Sequence, residues 1–165
     1  MVAADDDFAD WIAPHVGRLT RISRAFAAPA DRHDLMQELL IAVWKARPAF
    51  RGDASPATFI YRVAHNRALT WRRREGLRWL KFARFRDDLM NLPPESGEDP
   101  RLETLYAAIR ELPPVDRSLM LLALDGVSYA DMSALHALSE SNIGARLTRA
   151  RARLMAIIGE TSDGF

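Results

Sequence analysis

The stretch SESNIGARLTRARARLMAII, from Ser139 to Ile158, decides how the rest of the chain is read. Its apolar positions Ile143, Leu147, Ala150, Leu154 and Ile158 step by 4, 3, 4 and 4, which lays one buried stripe along a helix of about 140–158. Arg146, Arg149 and Arg153 then fall together on the opposite face. Ser139 suits the position before the helix, where a hydroxyl accepts a backbone N–H of the first turn. Upstream, Ser128 and Asp131 open a shorter helix, and a tight turn over about 137–139 joins the two. A short helix, a tight turn and a longer helix with outward arginines form the outline of a helix-turn-helix. In such a unit, donors near the start of the second helix meet base edges, and arginines further along meet phosphates. Ser141, Asn142, Ala145, Arg146, Arg149 and Arg153 occupy those places and are candidate DNA contacts. The competing reading is a bundle helix with a solvated arginine face.

Going back along the chain, the helical period continues. Leu102, Leu105, Ile109 and Leu112 make an apolar face, Pro113 and Pro114 force a turn, and a helix of about 116–124 is closed by Gly126. Between Gly76 and Pro100 the composition changes, and Pro93, Pro94, Ser96, Gly97 and Pro100 interrupt regular structure. The first part of this stretch is basic, with Arg78, Lys81, Arg84 and Arg86 among Trp79, Phe82 and Phe85. The second part is acidic, with Asp87, Asp88, Glu95, Glu98 and Asp99. Before it, the pattern predicts three helices: about 7–27, ending before Pro29; about 31–46, stopped by Pro48; and one from near Ser55, with Pro56 in its first turn, into Arg72, Arg73 and Arg74. No segment alternates long enough to suggest a strand. The expected fold is all-α: two small helical domains, over 7–75 and 101–159, joined by a flexible linker over 76–100.

Two further surfaces carry candidate residues. On the second helix Leu35, Leu39 and Val43 face a core, leaving Asp34, Gln37, Glu38 and Ile41 outside; an exposed isoleucine among acidic and amide groups suits a protein contact. On the third, Tyr61, His65, Asn66 and Trp71 place aromatics beside the Arg72–Arg74 cluster. Single-stranded DNA is held by such mixtures, because phosphates need cations and unstacked bases need aromatic faces. A basic helix end is also common without any ligand, since arginine suits a helix C-terminus electrostatically.

Composition narrows the classes. The chain has 165 residues, 27% of them charged, and a formal net charge of +1, so charge distribution rather than total charge argues for a nucleic acid. There is no cysteine, which removes disulfides, thiolate catalysis and cysteine-ligated zinc. His15, His33, His65 and His136 form no metal-ligand spacing, and no Gly-rich phosphate loop or nucleophile motif appears, so neither an enzyme nor a cofactor is expected. The acidic start has no apolar run behind it, and no apolar run approaches the roughly 20 residues of a membrane helix. A cytoplasmic protein is the expectation.

Residues Asp31 to Trp44, Phe50-Arg51-Gly52, Phe59 to Asn66 and Arg72-Arg73-Arg74 resemble region 2 of the extracytoplasmic-function sigma factors of bacterial RNA polymerase. Residues Glu111 to Arg117, Gly126 to Asp131 and Leu147 to Leu154 resemble their region 4. The order and spacing of two independent motif sets make this match more specific than a lone helix-turn-helix. The sequence departs from the family at Phe59, where tryptophan is usual, at Thr70, where aspartate is common, and at Ser133 and Ala137, which replace a small alanine and a turn glycine. The resemblance implies that Asp34, Gln37, Glu38 and Ile41 contact core RNA polymerase. It implies that Phe50, Arg51, Tyr61, His65, Asn66, Trp71 and Arg72–Arg74 hold the downstream promoter element, with a base flipped into the loop of 50–55, and that the helix-turn-helix reads the upstream element. It also implies control by a separate anti-sigma protein. The alternative, a stand-alone helix-turn-helix regulator with an N-terminal dimerisation module, leaves the patterns over 34–44 and 61–74 unexplained.

Overall fold

Proline marks the corners of the first unit and the turn at Pro113–Pro114, because it lacks an N–H and clashes with the preceding turn of a helix. The computed structural model describes the backbone of residues 2–82 and 99–162 and the side chains of 7–71 and 99–161. The chain divides into two compact units, Met1–Leu92 and Pro93–Phe165. No strand occurs among the described residues.

The first unit contains α1 (Val2–Ile12), α2 (Val16–Phe26), α3 (Arg32–Ala46) and α4 (Pro56–Phe82). Short 3-10 turns at Ala13–His15, Pro29–Asp31 and Arg47–Ala49, each with its own proline, join the first four segments. The single helix expected over 7–27 is therefore two, broken at Pro14, whose ring is incompatible with an unbent helix interior. Helices α2, α3 and α4 pack against one another. Leu19, Ile22 and Phe26 of α2, Leu35, Leu39 and Val43 of α3, and Ile60, Ala64 and Ala68 of α4 fill the space between them. Helix α4 does not stop at the basic cluster but runs through Gly76 to Phe82, so the segment read as the start of a linker is helical. One glycine costs only about 1 kcal/mol inside a helix, too little to end a long one.

The second unit contains α5 (Pro100–Arg110), α6 (Pro114–Leu124), α7 (Tyr129–His136) and α8 (Glu140–Ser162). Asp99, counted in the acidic half of the linker, caps α5 by accepting the Arg101 N–H at 2.9 Å. Helix α8 packs against α5, α6 and α7 through Ile143, Leu147, Ala150 and Leu154, all buried. Ile158 is only half-buried. On α5 the buried residues are Tyr106, Ala108 and Ile109, followed by Leu112; Leu102, in the exposed first turn, lies outside the face expected of it. Gly126, at φ 74°, ends α6 in the left-handed conformation that favours glycine.

The α7–α8 turn forms despite its unusual residues. Ala137 takes φ 53° and ψ 38°, the left-handed region in which a Cβ is crowded. Ser133 donates its hydroxyl to the Leu138 carbonyl at 2.5 Å, and Ser139 accepts the Asn142 N–H at 3.1 Å, so side chains hold the turn from both sides. Ala137→Gly is therefore expected to raise the stability of this unit by about 0.5–1 kcal/mol, the crowding relieved less the added freedom of the unfolded chain. Denaturant unfolding measures it, and an unchanged or lowered midpoint would refute the strain.

Candidate nucleic-acid interface

The exposed side of α3 is an apolar pair set among polar groups. Ile41 and Trp44, one turn apart, are each 51% exposed, while Asp34 and Gln37 are exposed on the preceding turns. The Gln37 Nε2 lies 3.0 Å from the His33 Nε2. Glu38 is not a free surface acid: it is half-buried and takes an ion pair from Arg67 of α4. Trp44 was not singled out from the sequence, although its i+3 spacing from Ile41 on a helix places it on the same face.

The loop after α3 is anchored by rings. Phe50 lies 5.1 Å from Phe59 and 5.8 Å from Trp11 between ring centroids, and Trp11 lies 6.4 Å from Phe59. The Arg47 guanidinium sits over Trp11 at 5.3 Å and pairs with Asp7 at 2.5 Å. Beyond Phe50 the chain is exposed at Arg51, Gly52 and Asp53, and Gly52 adopts φ 80°. The Ser55 hydroxyl accepts the Thr58 N–H at 3.2 Å and closes the loop onto the start of α4.

Helix α4 corrects three expectations. Tyr61 and Trp71 are 2% and 6% exposed, and His65 is also buried. The imidazole of His65 stacks on Tyr61, with 4° between the ring planes, and meets Phe26 edge-on. These rings are core, because α4 packs on both α2 and α3 and needs a buried arc wider than one stripe. They do not offer faces to unstacked bases. Among the described side chains of α4 beyond its first turn, the exposed ones are Asn66 and, four positions earlier, Arg62. The side chains of Arg72, Arg73 and Arg74 lie outside the described residues.

On α8, Ser141, Asn142, Ala145, Arg149 and Arg153 are exposed in one band. Arg146, expected to point away, folds back instead. Its Nη1 donates to the Asp116 Oδ1 of α6 at 2.9 Å, and its Nε donates to the Asn142 Oδ1 at 3.1 Å. Burial holds the His136 imidazole below its ordinary pKa of 6.5, so this side chain adds no positive charge at neutral pH. No group of residues able to hold a metal ion occurs among the described residues, and none of their helices is long and apolar enough to cross a membrane.

Family profiles for Sigma-70 region 2 and for Sigma-70, region 4 match residues 11–78 and 102–154. Among curated proteins the chain is similar to the ECF RNA polymerase sigma factor SigM of Mycobacterium tuberculosis, 28% identical over 151 residues that span 89% of this chain and 73% of the relative. It is similar to the RNA polymerase sigma factor CnrH of Cupriavidus metallidurans, 27% identical over 169 residues that span 94% and 88% of the two chains. Among solved structures, the fold resembles the sigma factor RpoE of Bartonella quintana in its complex with the anti-sigma factor NepR. The TM-score is 0.72 at 19% identity, over 93% of this chain and 97% of that one. It also resembles CnrH in complex with the cytosolic domain of CnrY, with a TM-score of 0.64 at 23% identity, over 94% and 90%.

Proposed function

Because the chain belongs to the sigma-70 family, in its extracytoplasmic-function group, with region 2 ahead of region 4, we propose a division of labour between its two units. The observation that carries the proposal is the presence of both regions, in order, on one chain. The first unit, centred on 7–75, binds core RNA polymerase through α3 and opens the downstream promoter element. The second, centred on 101–159, reads the upstream element.

In the polymerase contact, Ile41 and Trp44 supply the apolar centre and Asp34 and Gln37 the polar rim, the usual anatomy of a protein interface. Glu38 contributes by fixing α3 to α4 through Arg67. At the downstream element, Phe50 positions the loop, Arg51 meets phosphate, and Asn66 and Arg62 face the separated strand, with Arg72–Arg74 adding positive charge. At the upstream element, Ser141, Asn142 and Ala145 lie at the end of α8 that enters the major groove, followed by Arg149 and Arg153. The similar RpoE is held by the anti-sigma factor NepR, and this chain is controlled in the same way, by a partner that covers the polymerase-binding face, the DNA-binding face or both.

The direct test is transcription of fragmented genomic DNA from the source organism by purified core polymerase with and without the chain. Defined transcript starts that depend on the chain are expected. Failure to associate with core polymerase, together with no new starts, would reject the proposal in favour of a stand-alone regulator.

Asn66→Ala is expected to reduce promoter opening about 10-fold while closed-complex binding changes little, since the residue faces outward from a helix whose core it does not enter. Permanganate reactivity of unpaired thymines, compared with gel-shift binding, separates the two. Equal loss of both would make Asn66 a residue of the fold.

A further inference from the structure

The interaction that the upstream-element reading leaves unused is the bracket formed by Asp116, Arg146 and Asn142. It joins two helices across 30 residues of sequence, with a 2.9 Å ion pair and a 3.1 Å hydrogen bond on one guanidinium. The Asp116 side chain is 16% exposed and that of Arg146 is 32% exposed, so water screens the pair less than a surface pair. Asp116 lies in the first turn of α6, where a negative charge is also favoured by the helix. Its neighbours on the facing helix are cationic: Asp116 and Glu111 line a shallow groove of about 250 Å³ with Arg149 and Arg153.

Three arginines on one helix face would bind any duplex, since counterion release rewards phosphate contacts whatever the sequence. Two of them, Arg149 and Arg153, are exposed. The third is neutralised from within the protein, and its Nε is committed to the side chain of a candidate base reader, Asn142. We propose that Asp116 is a specificity-determining residue of the helix-turn-helix: by holding Arg146 against α6 it withholds one cation from the DNA backbone and fixes the orientation of Asn142. The inference rests on the second unit reading duplex DNA. The acid sets the ratio of specific to non-specific binding without touching DNA, and a variant that loses the acid gains affinity for DNA in general.

The test uses the full chain, a duplex selected from a randomised pool and an unrelated duplex, with binding measured by fluorescence anisotropy from low to moderate salt. Asp116→Asn keeps the shape and removes the charge. It is expected to tighten binding to the unrelated duplex about 5- to 10-fold near 0.1 M salt, to steepen the salt dependence by about 0.9 in log–log slope, and to reduce discrimination by the same factor. Adding Arg146→Gln to that variant returns slope and unrelated-duplex affinity to the original values, which a loss of mere structural support would not do. Arg149→Ala serves as the control for DNA reading. If it weakens binding while Asp116→Asn leaves the slope unchanged, or lowers affinity for both duplexes together, the bracket is only structural and the proposal is overturned. If neither the original chain nor Arg149→Ala binds any duplex, it is the DNA-reading assignment that fails, and the proposal with it.

Discussion

Ile41→Asp combined with Trp44→Ala is expected to weaken binding to core RNA polymerase by at least about 100-fold while leaving the chain folded. The size follows from the position of the two side chains. Truncating an anchor residue at the centre of an interface, a class rich in tryptophan, costs about 2 kcal/mol or more, and each 1.4 kcal/mol is a factor of ten, so two such anchors together reach two decades. The fold survives because Leu35, Leu39 and Val43, on the other side of α3, make the core contacts, whereas Ile41 and Trp44 are half exposed. Glu38 is a poor target for the same experiment. Glu38→Arg would set a second cation beside Arg67 at the α3–α4 contact, and lost affinity would be confounded with lost structure. Titration of labelled core polymerase, with circular dichroism and thermal unfolding of the free variant, settles the matter. A well-folded double variant with undiminished affinity would remove α3 from the polymerase interface.

The residues that were legible in the sequence are those whose role is set within a few turns of chain. Ile143, Leu147, Ala150 and Leu154 announced their buried stripe because helical period and burial agree. Ser128 and Ser139 announced two helix starts because a cap acts two or three residues away; each accepts a backbone N–H at 3.1 Å. What the sequence could not carry was set by distant partners. Nothing near Arg146 says that its acceptor stands on α6, and nothing near Glu38 says that Arg67 stands opposite. Tyr61, His65 and Trp71 look like a base-binding surface to a rule that allots each helix one apolar stripe, yet α4 is wedged between two helices and buries a wider arc. Burial and contacts therefore put Tyr61, His65 and Trp71 in the core, leave Trp44 and Arg62 exposed, and turn Arg146 back toward α6.

Arg117→Ala is expected to destabilise the second unit by about 3 kcal/mol, a large share of what a unit of this size possesses. Helix α5 ends at Arg110, and the carbonyls of a last helical turn need donors from outside the helix. The chain continues into Pro113 and Pro114, which have no N–H to give. Arg117, one turn into α6 and 4% exposed, supplies the missing donors: its Nε donates to the Leu112 carbonyl at 2.8 Å, and its Nη2 donates to that of Arg110. A positive charge at the C-terminal end of a helix is favoured as well. Alanine would remove both donors, at about 1–3 kcal/mol for each acceptor that loses one, partly offset by water entering the vacated space. Lysine should rescue little, since one ammonium cannot reproduce two donors in a planar fork. Denaturant unfolding, followed by hydrogen exchange of the α5 and α8 amides, would read the loss. A change below about 1 kcal/mol would show that backbone rearrangement at the proline corner can replace the guanidinium.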